Sequence, residues 1–165
     1  MIVEKVIRNL KNSSGEEKKL DRVYLEWYEL GKHTLRKTTE SGKEIGIRIS
    51  EHLTDGDVLY EDAQELICVA LKPTKLTRVA VTTMKEMGRL CFELGNRHLS
   101  LAIEDHSVSV IYDEPTFEYL QKLGFKPQIC EGKFEHVTVC HGHRHEPDTH
   151  YQEHTVHIQE GNGHA

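Results

Sequence analysis

The fold is decided by residues 84–103, which read MKEMGRLCFELGNRHLSLAI. Apolar residues recur at helical spacing in the first part of this stretch, at Met84, Met87, Leu90, Cys91 and Leu94. That spacing predicts a helix with one buried face, whereas the alternation of apolar and small residues over 99–103 predicts a strand. Gly95-Asn96-Arg97-His98 lies between them and marks a helix-to-strand junction. We expect Gly95 to end the helix, because glycine accepts the left-handed conformation at many helix ends.

His98 has two interpretations at this junction. Two packed elements would fix its backbone while the ring reaches outward, which suits a metal ligand or a catalytic base. The simpler interpretation is a histidine that caps the last carbonyl groups of the helix. Position alone favours the capping interpretation, and the histidines near the end of the sequence shift the balance toward a metal ligand.

The segment 141–165 is unusually rich in histidine. It contains His141, His143, His145, His150, His154, His157 and His164. Such tracts are typical of metal binding, because neutral imidazole is a common ligand for Zn, Cu and Ni. Residues 141, 143 and 145 would share one side of an extended segment, and 150, 154 and 157 would share one helical face. The alternative is an inert, solvated extension.

The sequence further predicts an α+β protein in three parts. Residues 1–72 contain short alternating stretches and predict a small all-β domain of roughly six strands. Proline and the loss of apolar pattern predict a linker at 72–75. Residues 76–140 predict a ferredoxin-like domain of order β-α-β-β-α-β, with its last strands at 125–130 and 134–139. Residues 141–165 lack an apolar pattern and predict a disordered His-rich tail.

Composition excludes several classes of protein. The net charge of −6 gives no indication of a nucleic-acid partner. The sequence contains no run of about 18 apolar residues and therefore predicts no membrane span. Its first residues lack the apolar run of a signal peptide. Cys68, Cys91 and Cys130 fall at predicted core positions and form no Cys-x-x-Cys pair, so we expect a cytoplasmic protein. Cys140 adjoins the histidines and is a possible thiolate ligand.

Known catalytic motifs are missing from the sequence. There is no Gly-x-x-x-x-Gly-Lys-[Ser/Thr] loop, no His-Glu-x-x-His pair and no Gly-x-Ser-x-Gly elbow. Asp105, His106 and Ser107 are residue types of a catalytic triad, but neighbours on a strand point to opposite faces. No carboxylate adjoins His98 to act as a general base. We therefore expect no enzymatic activity, with a metal-dependent hydrolase the weakest alternative.

A single imidazole at His98 would bind a divalent ion weakly, because useful sites have roughly three to six donors. No cysteine or other histidine lies close to His98 in the sequence. A two-fold dimer would supply a second His98, and the tail would supply further imidazoles. Nitrogen-rich sites of this kind suit Ni(II), Cu(II) or Zn(II) better than Ca or Mg.

These residues resemble the urease accessory protein E (UreE) family of nickel metallochaperones. The resemblance rests on Gly-Asn-Arg-His at 95–98, the preceding segment 83–88, Gly-Asp-Val-Leu-Tyr at 56–60 and the histidine-bearing end, and it covers roughly residues 1–145. It implies a homodimer joined through the ferredoxin-like domains, with His98 of each chain binding nickel at the interface. It also implies that the first domain binds partner proteins, namely the urease apoprotein complex and a nickel-delivery GTPase.

The resemblance extends to part of the tail. Some members end in Gly-His-x-His and use those histidines as ligands, and Gly142-His143-Arg144-His145 matches this pattern. The segment from Glu146 onward is longer than in such members, so its ligands are not mapped one by one. The resulting expectation is a nickel chaperone that carries Ni(II) and for which Zn(II) or Cu(II) can substitute. The alternative is a peptide- or protein-binding module with an incidental metal-storage tail.

Overall fold

The computed structural model describes residues 1–12 and 18–135 of the chain. Seven strands precede the first helix-containing unit: β1 (Ile2–Val3), β2 (Arg8–Asn9), β3 (Lys19–Leu25), β4 (Thr34–Thr38), β5 (Glu44–Arg48), β6 (Asp57–Glu61) and β7 (Glu65–Leu71). Then follow β8 (Pro73–Ala80), α1 (Met84–Asn96), β9 (Ala102–Glu104), β10 (Ser107–Ile111), α2 (Glu114–Lys122) and β11 (Pro127–Lys133). Short 3₁₀ turns occupy Leu10–Asn12 and Trp27–Glu29.

The first seven strands form two sheets around one main core. Their orders are β1-β5-β4 and β2-β6-β7-β3, and the pairs β1–β5 and β3–β7 are parallel. Alternate residues of these strands are buried, as in Val23 and Leu25 of β3 and Ile45 and Ile47 of β5. The all-β first part is confirmed. The structure has one strand more than the alternation predicted, because β1 and β2 contain two residues each and are too short to show alternation.

The predicted linker at 72–75 is wrong. Only Lys72 separates β7 from β8, which begins at Pro73. Pro73, Thr74 and Lys75 lie opposite Lys133, Gly132 and Glu131 of β11 in an antiparallel ladder. Proline is tolerated there because it is the first residue of the strand. The pairing partner lies some sixty positions away, so local composition does not reveal it.

The strands from β8 onward form one antiparallel sheet of order β11-β8-β10-β9. Leu90 and Leu94 of α1 and Leu120 of α2 share a core with Val79 and Val108 of the sheet, so both helices cover the same face. This arrangement confirms the ferredoxin-like prediction. The strand expected at 125–130 is β11, which begins and ends later than predicted, from Pro127 to Lys133. Residues 136–139 of the expected final strand lie outside the described residues.

Both helices begin with side-chain caps. Thr83 Oγ1 accepts a hydrogen bond from the backbone N–H of Glu86, and the Glu86 carboxylate accepts one from Thr83 in return. Asp113 caps α2, which has proline in its first turn. The expected place of Met84 in the buried face of α1 is wrong, because this first helical residue is 88% exposed. No helix within the described residues is long and apolar enough to cross a bilayer.

The chain after β11 is held against the first part of the protein. The fully buried Phe134 ring packs edge-on against Trp27, with 5.5 Å between ring centroids. Lys133 Nζ lies 2.6 Å from Asp55 Oδ2, and the Lys11 ammonium lies 3.0 Å from Glu135 Oε1. One aromatic contact and two ion pairs therefore fix the carboxyl end of β11 to the β domain.

Candidate metal site at the end of helix α1

The carboxyl end of α1 is closed by two backbone hydrogen bonds. The N–H of His98 donates to the carbonyl of Gly95 at 2.8 Å, and the N–H of Leu99 donates to the carbonyl of Leu94 at 3.4 Å. These are the two bonds of a Schellman motif in which Arg97 is the C-cap and His98 is the next residue, C′. The motif satisfies carbonyl groups that a helix end otherwise leaves without partners.

His98 itself occupies the left-handed position, with φ of 56°. It is the one non-glycine residue with positive φ among those described. The expectation that Gly95 ends the helix is therefore wrong, since Gly95 lies inside α1. A Schellman end usually pairs an apolar residue just after the turn with one three residues before the cap. That pair is Leu99 with Leu94, both in the same core.

The exposed His98 side chain is not used to cap the helix. Backbone N–H groups close the last turn, and the His98 ring makes no hydrogen bond or ion pair with another residue in 1–12 or 18–135. The simpler interpretation from the sequence therefore lacks a contact to support it. A non-glycine residue in this conformation is strained by about 1–2 kcal/mol, and such strain is concentrated at functional positions.

The turn that carries His98 is braced by a contact between the two helices. The Arg97 guanidinium lies over the Tyr119 ring of α2, 4.9 Å from its centroid. The Tyr119 hydroxyl donates to Glu93 Oε2 at 2.5 Å, and this hydrogen bond raises the pKa of the phenol. The sequence analysis missed Glu93 and Tyr119, because a helix-to-helix pairing leaves no local pattern.

Helix α1 also presents an apolar residue to solvent near its end. Phe92 is 66% exposed and follows Gly88 by one turn. A Cβ atom added at Gly88 would meet nothing within 4 Å, so this side of the helix is open and flat. The exposure of Phe92 could have been predicted from the sequence, because Phe92 does not fall on the apolar face defined by Leu90 and Leu94.

Topology places His98 and the end of β11 at the same end of the second sheet. Helix α1 follows the carboxyl end of β8 and returns toward its beginning, so His98 lies near the end where β8 starts. β11 runs antiparallel to β8, with Lys133 opposite Pro73, and therefore finishes at that end too. Residues after Glu135 begin there.

The remaining predicted ligands cannot be located. His141, His143, His145, His150, His154 and His157, together with Cys140, lie outside the described residues. Within the described part of the chain, no group of three or more His, Cys, Asp or Glu side chains is placed to hold a metal ion. Burial raises the pKa of the Cys68 and Cys91 thiols, as expected of cysteines that pack in the cores. Of the predicted ligands, His98 alone lies within the described residues.

Two family models match the chain over nearly its whole length. The UreE urease accessory protein N-terminal domain matches residues 3–72, and the UreE urease accessory protein C-terminal domain matches residues 74–164. The chain belongs to the UreE family. The resemblance inferred from the Gly-Asn-Arg-His motif is confirmed, and so is the expectation that the chain is not an enzyme, since UreE proteins are accessory proteins.

Individual UreE proteins are similar over most of this chain. The urease accessory protein UreE of Bifidobacterium longum subsp. infantis is 41% identical over 144 residues, which cover 87% of this chain and 65% of that protein. The UreE of Acetivibrio thermocellus is 40% identical, covering 77% of this chain and 84% of its own length. The UreE of Bacillus sp. strain TB-90 is 37% identical, covering 88% of this chain and its own full length.

Proposed function

We propose that this UreE protein is a nickel metallochaperone of urease maturation. A homodimer would bind Ni(II) between its subunits through His98 of each chain and deliver the ion for assembly of the urease active site, in the cytoplasm. The observation that carries the proposal is the exposed His98 ring, unpartnered by any described residue and held in a strained left-handed turn at the end of a rigid helix.

A second copy of the chain is the simplest source of a second ligand. One imidazole alone binds a divalent ion weakly, and the described residues contain no group of three or more His, Cys, Asp or Glu side chains that could hold the ion. A two-fold axis close to His98 would present the same side chain twice. The exposed Phe92 ring supports pairing on this side of α1, because an aromatic side chain in solvent gains stability when a partner covers it.

The tail histidines can reach such a site. His143 lies eight residue steps after Glu135, and an extended chain of that length spans up to about 26–29 Å. β9 and β11, the two edges of the sheet, lie three strand spacings apart, which is about 14 Å. We therefore propose His143 and His145 as the first additional ligands, with His141, His150, His154 and His157 as further capacity.

The proposed chemistry suits transfer rather than storage. Imidazole nitrogens bind Ni(II), Zn(II) and Cu(II), and an exposed site lets the ligands of the ion be replaced one at a time. A closed tetrahedral thiolate site would hold the ion against transfer. Ligation requires neutral imidazole, so nickel affinity should fall in acid.

The first domain supplies a surface for the proposed partners, the urease apoprotein complex and a nickel-delivery GTPase. Met1 and Ile2 line two adjoining clefts of about 350 and 470 Å³. Ile2 is 65% exposed, and Ile7 in the larger cleft is also exposed. Exposed apolar side chains around a concave surface are typical of protein-binding sites. The same surface favours the second candidate, a protein-binding module whose tail only stores metal.

Nickel calorimetry combined with analytical ultracentrifugation tests the main proposal. His98→Ala should remove the tight nickel site of the dimer while leaving the dimer intact. Phe92→Glu should shift the protein toward monomer and lose the site as well. Ile7→Glu, which adds the same charge to an exposed apolar position of the other domain, serves as the control and should change neither.

Deletion of residues 141–165 separates the two candidates. If one tight nickel ion per dimer persists and still requires His98, the chaperone proposal gains support. If all tight binding disappears with the tail and His98→Ala has no effect, the storage alternative is favoured. Ile2→Glu should weaken binding to the urease apoprotein complex without changing nickel affinity.

A further inference from the structure

A second cluster of possible metal ligands lies at the opposite end of α1 from His98. Met84, Met87, Asp105 and His106 line a pocket of about 120 Å³ together with residues 81–83. The volume suits one ion and its ligands and is too small for most organic ligands. The 13 residues of α1 separate this pocket from His98 by about 20 Å.

Packing does not explain why Met84 is in this position. Its side chain is 88% exposed although methionine is apolar, whereas Met87 is partly buried against the core. The Cys91 thiol donates to Met87 Sδ at 3.9 Å, which restrains the Met87 thioether. Both methionines line the pocket, and the contact with Cys91 restrains the Met87 side chain.

The β9–β10 hairpin supplies the third donor. The carbonyl of His106 accepts a hydrogen bond from the N–H of Val81, which fixes the hairpin backbone beside the start of α1. The His106 ring and the Asp105 carboxylate make no hydrogen bond or ion pair with any described residue. Both remain available to a ligand in the pocket.

The charge around the pocket tolerates a cation despite the helix N-terminus beside it. The Glu86 carboxylate accepts hydrogen bonds from the N–H groups of Thr82 and Thr83, which places a negative charge on the positive end of the helix dipole. Asp105 adds a second negative charge at the pocket wall. The two carboxylates favour a cation of either charge, so the type of ligand atom decides which metal binds.

We propose that Met84, Met87 and His106 form a binding site for a soft monovalent metal ion of the Cu(I) class. Thioether sulfur selects Cu(I) over hard or borderline divalent ions, and imidazole is an accepted additional ligand. The site is independent of the proposed nickel site, because it shares no residue with it and lies at the other end of the helix. Copper(I) would therefore bind without displacing nickel from His98.

Methyl NMR of the full-length chain carrying ¹³C-labelled methionine methyl groups tests the site directly. Ag(I) serves as a redox-inert probe of the Cu(I) class. Equimolar Ag(I) should shift the Met84 and Met87 signals and leave that of Met1, an internal control in the first domain, unchanged. The proposal is overturned if neither signal moves or if all three methionine signals move together.

Affinity measurements on variants complete the test. Cu(I) competition with a chromophoric chelator should show that Met87→Leu and His106→Gln each weaken binding by about tenfold or more, the loss that removing even an outer partner of a metal ligand produces. Met→Leu conserves volume, so the fold should be retained. His33→Gln, at an exposed histidine of the first domain, is the matched control and should not change the affinity.

Two further variants separate this site from the nickel site and from a subunit contact. His98→Ala should leave the Ag(I) shifts of Met84 and Met87 intact even if it abolishes nickel binding. Met84→Leu should weaken Cu(I) binding but preserve any apolar contact that Met84 makes with a second subunit. Wild-type Cu(I) affinity in Met84→Leu and Met87→Leu, or loss of the Ag(I) shifts in His98→Ala, would refute the proposal.

Discussion

Replacing His98 with glycine should stabilise the protein while removing its proposed function. His98 has φ of 56°, a conformation that costs an L-residue about 1–2 kcal/mol. Glycine relieves this strain but increases the entropy of the unfolded chain, which opposes the gain by about 0.4–1 kcal/mol. The net expectation is a rise of about 0.5–1 kcal/mol in the free energy of unfolding. For a chain of this length, 1 kcal/mol corresponds to about 2–4 °C in Tm.

Comparison with His98→Ala isolates the effect of the backbone conformation at position 98 on stability. Alanine also removes the imidazole, but it retains the strained conformation, so its stability should stay within about 0.5 kcal/mol of the wild type. Both variants should lose nickel binding to the same extent. The glycine variant should therefore be more stable than the alanine variant by about 1 kcal/mol.

Two glycine substitutions act as controls for the same argument. Gly95 lies inside α1 with no atom within 4 Å of an added Cβ, so Gly95→Ala should stabilise the protein by about 0.5–1 kcal/mol. Gly124, which follows α2 with φ of 87°, occupies a left-handed position, so Gly124→Ala should destabilise it by about 1 kcal/mol. The assay is urea unfolding followed by circular dichroism, without metal and at one protein concentration. A glycine variant at 98 less stable than the alanine variant, or a destabilising Gly95→Ala, would refute the reasoning.

Three other predictions concern the core and the contact between the domains. Thr77→Val should raise the free energy of unfolding by about 1 kcal/mol in urea titration, because the buried Thr77 hydroxyl has no hydrogen-bond partner among the described residues; a lower midpoint would contradict this. Phe134→Ala should cost about 3–5 kcal/mol and alter the fluorescence of Trp27, the one tryptophan of the sequence; unchanged emission would mean that the ring contact is absent in solution. Burial alone would raise the pKa of Asp55, but hydrogen bonds from Lys133 Nζ and the N–H of Leu71 outweigh it and lower the pKa below its usual value of about 3.9. The ionised Asp55 therefore contributes stability above about pH 4 that is lost as the pH falls further, so Asp55→Asn should be less stable than the wild type at pH 7 with a difference that shrinks in acid. A constant difference between the two urea midpoints across that range would argue against the ion pair.

Local patterns in the sequence predicted much of the second domain. The apolar spacing at Leu90 and Leu94 is a short-range feature, and both leucines are buried on one face of α1 as expected. The order of strands and helices followed from the same kind of pattern. Met84 fitted the spacing as well, but the spacing does not show that the first helical residue extends beyond the core.

The end of α1 was misassigned because two local rules disagree there. Glycine is the usual residue in a left-handed helix end, which favoured Gly95. Ending the helix at Gly95 would have paired Asn96 with Cys91 across the turn, whereas ending it at His98 pairs Leu99 with Leu94. Burial of two leucines outweighs the conformational preference of one glycine. The apolar pair could have been found in the sequence by testing both alignments.

Features that depend on distant residues were beyond local prediction. β8 begins at Pro73 because β11 pairs with it, and neither segment alone has a strand pattern over those residues. The brace formed by Glu93, Tyr119 and Arg97 likewise requires both helices. The Met84–His106 pocket joins a helix to a hairpin, so spacing along the chain gives no sign of it.

The single residue between β7 and β8 has a consequence for assembly. The two domains can change their relative orientation only by bending at Lys72, and the Phe134 contact closes the joint from the other side. Any oligomer of this chain should therefore assemble from protomers whose two domains keep one fixed arrangement.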